Sequence, residues 1–148
     1  MDPLAHTLVG CTLAKSGLGK QSAFAPTALV IGANLPDVDA ITYFVSSDLA
    51  LFFRRGWTHG IPAIVILPLI LAVALVLLDR ILGRRQADFR MLYFLSLLGV
   101  ATHPSLDWLN TYGMRWLMPF DGSWFRGDTL FILDPWMWLM LGPNQAHL

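Results

Sequence analysis

The chain has 148 residues, enough for one domain and short of two. Hydrophobic residues make up 55% of it and charged residues 14%, against about 45–50% and about 25% in soluble domains, so the composition points to a membrane. The formal net charge is zero, so nothing suggests the basic face a nucleic-acid partner would call for, and a single cysteine, Cys11, rules out an internal disulfide.

Residues 2–15 predict a first helix, with Pro3 early and the negative charge of Asp2 where a helix N-terminus favours it. This acidic start is unlike the basic opening of a signal peptide. Glycines between Lys15 and Lys20 predict a turn. Residues 23–45 are apolar apart from Asn34, Asp37, Asp39 and a few small polar residues, and predict a membrane span. The clearest span is 60–78, uncharged and rich in Ile, Leu, Val and Ala; at ~1.5 Å per residue it covers most of a ~30 Å hydrocarbon core. Pro62 falls near its start, where proline is tolerated, and Pro68 predicts a kink. Residues 91–109 begin as another apolar span but carry His103 and Asp107. Residues 129–141 are short and broken by Asp134-Pro135, and there Trp136 and Trp138 suit a membrane interface. The expected fold class is all-α, an integral membrane helical bundle of about 3–5 membrane-embedded helices.

Lys15 and Lys20 in the first turn, and Arg80, Arg84, Arg85 and Arg90 after the clearest span, place both loops on the cytoplasmic side. Counting helical rise from these loops puts Asp37 about 26 Å out, His59 about 32 Å, His103 about 20 Å and Asp107 about 26 Å. His6, about 14 Å from Lys15, falls nearer mid-depth. Groups picked for their chemistry thus gather, His6 apart, in the outer half of the bilayer.

All ten acidic residues are Asp. Solvated helix faces normally use Glu, the better helix former, so short carboxylates suit helix starts, loops and ligand positions instead. Ionisable groups inside a bilayer are expected to face a cavity, pair with one another or bind an ion. His103 and Asp107, spaced i and i+4, offer a divalent metal one nitrogen and one oxygen donor from one helix face; a His–Asp hydrogen bond between helices is the plainer alternative. Asp37 and Asp39 follow Pro36, and joint ligation there needs a loop or a helix start, where either would equally well serve as a cap. Arg54 and Arg55 precede His59 at the mouth of the main span, to anchor it, to pair with anionic lipid, or to clamp a phosphate beside a metal. His6 taken alone reads as a polar contact, and His147 near the C-terminus is set aside. Together His6, Asp37, Asp39, His59, His103 and Asp107 make a mixed donor set that suits zinc, and also manganese or iron.

Four motifs in order are Asp2-Pro3-Leu4-Ala5-His6-Thr7, Leu35-Pro36-Asp37-Val38-Asp39, Arg55-Gly56-Trp57-Thr58-His59-Gly60 and residues 103–113. They resemble the membrane-bound metal-dependent hydrolase family of YdjM-like inner-membrane proteins. Trp124-Phe125-Arg126-Gly127-Asp128 and Asp134-Pro135-Trp136 look like its longer members, although the chain stops soon after them. Arg54 stands where some relatives carry a histidine. A more distant similarity to zinc-dependent phospholipase C would make Asp37, His59, His103 and Asp107 the metal ligands.

The resemblance implies a single metal-hydrolase-like domain over 1–148, C-terminally short, in the bacterial inner (plasma) membrane. It also implies hydrolysis of a phosphoester, with lipid among the candidate substrates, at the outer side of that membrane. In that scheme Asp37 or Asp39 takes a proton or bridges a second metal, Arg54 and Arg55 stabilise charge on phosphate, and Asp128 and Asp134 stand in reserve. The alternative is a non-enzymatic membrane protein with a structural metal site or an ion pathway. Ligand geometry separates them, because a catalytic site keeps a position open for water.

Overall fold

The structure is a computed structural model that describes residues 1–143, so His147 lies outside it. Among the described residues the fold is all-helical, with isolated bridges and no strand. Helix α1 (Pro3–Lys15) starts beneath Asp2, whose carboxylate accepts the Ala5 N–H at 3.0 Å. Gly17, at φ 102°, turns the chain into a short 3-10 helix, Leu18–Lys20. Helix α2 (Ala25–Asn34) then ends inside the expected 23–45 span, and the chain winds on as a 3-10 helix, Leu35–Phe44. Pro36 brings no N–H to continue the α ladder. A 3-10 run of this length is uncommon and often marks a functional segment.

The remaining elements are α3 (Ser47–Phe53), α4 (Ile61–Ile81), α5 (Phe89–Leu109) and α6 (Pro135–Leu141). Among the described residues, α4 is the one helix long and apolar enough to cross a membrane. It buries Ala63, Pro68, Leu71, Ala72 and Leu75 against its neighbours while Ile61, Val65, Ile66, Leu69, Ile70, Val73, Leu77 and Ile81 stay exposed. So broad an apolar surface is disfavoured in water and suits lipid. Helix α5 is equally long, at 21 residues, but Arg90, Ser96, Thr102, His103, Ser105 and Asp107 interrupt its hydropathy. Helix α2 has 10 residues, about 15 Å, or half a hydrocarbon core.

Helices α2, α4 and α5 share a core of Ala25, Ala28, Leu29, Leu71, Ala72, Leu75, Leu92 and Leu95. Glycines set how closely the backbones approach. A Cβ on Gly99 of α5 would lie 2.7 Å from the Leu29 carbonyl oxygen, and one on Gly32 of α2 would lie 3.0 Å from that of Ser96. Small residues that let helices touch are the common device of membrane packing. This contact lays the last turn of α2, and the carboxylates after it, against the final third of α5.

The bundle has two chemically distinct ends. At one, the Asp88 N–H donates to Ser22 Oγ at 3.1 Å and the Arg84 guanidinium sits over the Phe24 ring at 5.8 Å, so the two basic loops meet. Buried Asp79 ties the second of them down, accepting the N–H groups of Gln86 and Ala87 at 2.8 and 3.0 Å. At the other end lie His6, Asp37, His59, His103 and Asp107.

Candidate metal centre

Four separate stretches of chain deliver the site. Asp37 sits in the first turn of the long 3-10 helix, and His103 and Asp107 stand one turn apart near the end of α5, with Pro104 between them. His59 comes from the tight loop before α4, where the N–H groups of His59 and Gly60 both reach the Gly56 carbonyl, at 3.1 and 2.7 Å. Gly60 is needed there, because a Cβ would fall 2.5 Å from the Met118 carbonyl oxygen.

One donor atom from each of Asp37, His59, His103 and Asp107 lies within 4.8 Å of all the others. The Nε2 atoms of His59 and His103 are 3.1 Å apart. Asp37 Oδ1 is 3.4 Å from His103 Nε2 and 3.9 Å from His59 Nε2. Asp107 Oδ2 is 3.5 Å from His59 Nε2 and 3.7 Å from His103 Nε2. Tetrahedral ligands at ~2.0–2.1 Å from a zinc ion are about 3.3 Å from one another, so this set is spaced to hold one. A hydrogen bond is also missing: Asp107 Oδ2 is buried and, apart from the Arg55 guanidinium 3.6 Å away, has no polar partner outside the donor group. Buried polar atoms are nearly always paired, and a cation held among these four donors would supply the pairing.

The imidazoles are held with their Nε2 lone pairs inward. His103 Nδ1 lies 2.6 Å from the Ala33 carbonyl oxygen, a contact that requires the proton on Nδ1. His59 Nδ1 lies 2.9 Å from Thr58 Oγ1, and that hydroxyl donates to Asp39 Oδ2 at 2.8 Å. Burial, reinforced by neighbouring His103, holds His59 well below the ordinary imidazole pKa and keeps it in the neutral form that ligates.

The structure thus places Asp39 behind His59, with Oδ2 also accepting the Arg55 N–H at 3.0 Å, outside the four-residue group. His6, which the depth count left short of the others, is fully buried at this end. Its ring stacks on His103 at 3.7 Å, its Nε2 is 3.4 Å from Asp107 Oδ1, and neither ring nitrogen has a hydrogen-bond partner. Counting rise along one helix ignores where that helix begins relative to its neighbours, and α1 starts at the site. The Met1 amino group donates to the same Asp107 oxygen.

Arg55 is 3% exposed, with Nε 3.6 Å from Asp107 Oδ2 and Nη1 donating to Asn110 Oδ1 and the Gly113 carbonyl at 3.3 and 3.1 Å. Both arginines border Tyr112, whose ring centre is 4.7 Å from the Arg55 guanidinium and 5.4 Å from that of Arg54; Arg54 also donates to the Tyr43 hydroxyl. Asp134 caps α6 through the Trp136 N–H at 3.0 Å, and Asp128 pairs with Arg126 at the surface. Neither belongs to the donor group.

Three contributors escaped the sequence reading: Thr58, the Ala33 carbonyl and Asn110. Fully buried Asn110 accepts the N–H groups of Tyr112 and Gly113 at 2.7 and 2.9 Å as well as Arg55, while its Nδ2 reaches toward Asp107 Oδ1 at 3.5 Å. An Asn three residues before a Gly is a turn signal that marks it. A backbone carbonyl leaves no such mark.

Residues 1–145 match the YdjM inner membrane protein family, and the chain belongs to that family. It is similar to YfhP of Bacillus subtilis (strain 168), described as an uncharacterized protein, with 27% identity over 147 residues. That match covers 94% of this chain and 43% of the relative, so the chain spans less than half of YfhP's length. No solved structure matches.

Proposed function

We propose that this member of the YdjM inner membrane protein family is a metal-dependent hydrolase of phosphoesters, with its centre toward the extracytoplasmic side. The convergence of Asp37, His59, His103 and Asp107 at near-tetrahedral spacing carries the reading. Zinc is the favoured ion for this nitrogen and carboxylate set, with manganese and iron as alternatives. When bound, such an ion lowers the pKa of a coordinated water toward ~7 and polarises a phosphoryl oxygen.

The chain's own groups supply the rest. Hydrolysis adds the oxygen of water to phosphorus, breaks the bond to the leaving alcohol, and returns a proton to that alcohol. Asp37, partly exposed at 31% while the other three donors are fully buried, is the donor that would give up its place to water and take the proton from it. Asp39 orients His59 through Thr58. Arg55, beside Asp107, and Arg54, over Tyr112, offer guanidinium to charge developing on phosphate.

Four protein donors complete a tetrahedral shell, and three of them are fully buried; this favours a second reading, in which the ion is structural and the protein is not an enzyme. Reconstitution with zinc, manganese or iron, followed by assay on p-nitrophenyl phosphate and bis(p-nitrophenyl) phosphate in detergent, separates the two. Metal-dependent turnover that His103→Ala abolishes is the expected result. Stoichiometric metal with no turnover of either ester leaves the structural reading.

A further inference from the structure

One member of the donor set reaches the surface, and it does so beside a largely apolar groove. Among the four donors Asp37 is the one partly exposed, and it borders a groove of about 480 Å³ walled by Pro3, Val30, Ile31, Leu35 and Val38, with Asn34 as its other polar residue. The groove runs between the start of α1, the outer face of α2 and the first turn of the long 3-10 helix. Its volume is in the range of small-molecule sites. Its rim continues into exposed apolar surface: Leu4 is 50% exposed, Ile31 42%, Val38 51% and Ile41 65%. In an inner membrane protein such a surface faces hydrocarbon.

We infer that the substrate is a membrane lipid bearing a phosphoester headgroup. Its acyl chain lies in the groove and its headgroup reaches the centre laterally, past Asp37. This rests on the hydrolase reading for the fate of the headgroup, but the binding it requires is independent of turnover. Continuity between groove and lipid-facing surface selects an acyl chain as the occupant. Asp37 in the groove's lining sets where the chain must stop and the polar headgroup begin. A water-soluble phosphoester gains nothing from Ile31 or Val38, whereas a lipid is aligned by them before it meets the metal ligands.

The probe is dimyristoyl phosphatidic acid beside glycerol 3-phosphate, each added to manganese-loaded protein in dodecyl maltoside micelles. Paramagnetic broadening of the phosphorus-31 resonance reads approach of the phosphate to the centre. His103→Ala protein sets the background. The lipid is expected to bind at least about tenfold more tightly than glycerol 3-phosphate, equivalent to about 1.4 kcal/mol or more. Ile31→Trp and Val38→Trp fill the groove from exposed positions, so metal content should hold while lipid affinity falls about tenfold. Equal binding of the two probes, or lipid binding unaffected by both tryptophans, overturns the inference. The two proposals fail differently. Lipid binding intact without turnover of any ester sinks the hydrolase and leaves the groove. Turnover of soluble esters with no lipid preference does the reverse.

Discussion

The relay behind His59 gives the sharpest test of how the centre is organised. Asp39 Oδ2 accepts from Thr58 Oγ1 at 2.8 Å, and that hydroxyl faces His59 Nδ1 at 2.9 Å. Asp39→Ala removes the acceptor that orients the hydroxyl, and with it the group that fixes the imidazole, while all four donors stay in place. Losses of this kind weaken metal affinity about 10–100-fold, or about 1.4–2.8 kcal/mol. The same substitution leaves the Arg55 N–H unpaired, at about 1–3 kcal/mol of stability, and that loss must be kept apart from the metal effect. Asp39→Asn does so, because its side-chain oxygen still accepts from Arg55 and Thr58; its affinity should fall between those of wild type and Asp39→Ala. The assay is competition for zinc against a chromophoric chelator in detergent, with His103→Ala alongside. Loss of all metal in Asp39→Ala, as in His103→Ala, would make Asp39 a ligand and refute the relay. Unchanged affinity would refute it from the other side.

Further outcomes follow from the same geometry. Inductively coupled plasma mass spectrometry on purified protein should find about one equivalent of metal, lost in His59→Ala, His103→Ala and Asp107→Ala. Saturating metal at about a hundred times its Kd should stabilise the fold by about 2.7 kcal/mol, raising Tm by roughly 5–11 °C in a detergent melt that chelator reverses. Gly99→Leu drives a side chain into the Leu29 carbonyl, 2.7 Å from where its Cβ must lie. Overpacking of about 1–3 kcal/mol should lower Tm by roughly 2–12 °C and weaken metal binding, because the same contact carries the Ala33 carbonyl to His103. Orientation is checked in a Cys11→Ala background: Ser123→Cys should react with a membrane-impermeant thiol reagent in intact cells, and Gln86→Cys only after lysis.

What the sequence determined by itself is what local chemistry determines. An uncharged apolar run long enough to cross a bilayer defines α4 wherever it packs, and His103 and Asp107 share a face because a helix repeats every 3.6 residues. Costly ionisable groups in apolar segments mark a site before any contact is known. Tertiary structure decided everything that depends on which backbones touch. The glycine contact between α2 and α5 turns Ala33 into a partner for His103, and the winding after Pro36 sends Asp37 into the donor group and Asp39 behind His59. Two carboxylates two residues apart look equivalent in sequence. They differ in the fold because a 3-10 helix advances roughly 120° per residue, so neighbours two apart point to different sides. His6 shows the same limit, since a count along α1 left it short of the other donors, whereas its stacking on His103 depends on where α1 docks.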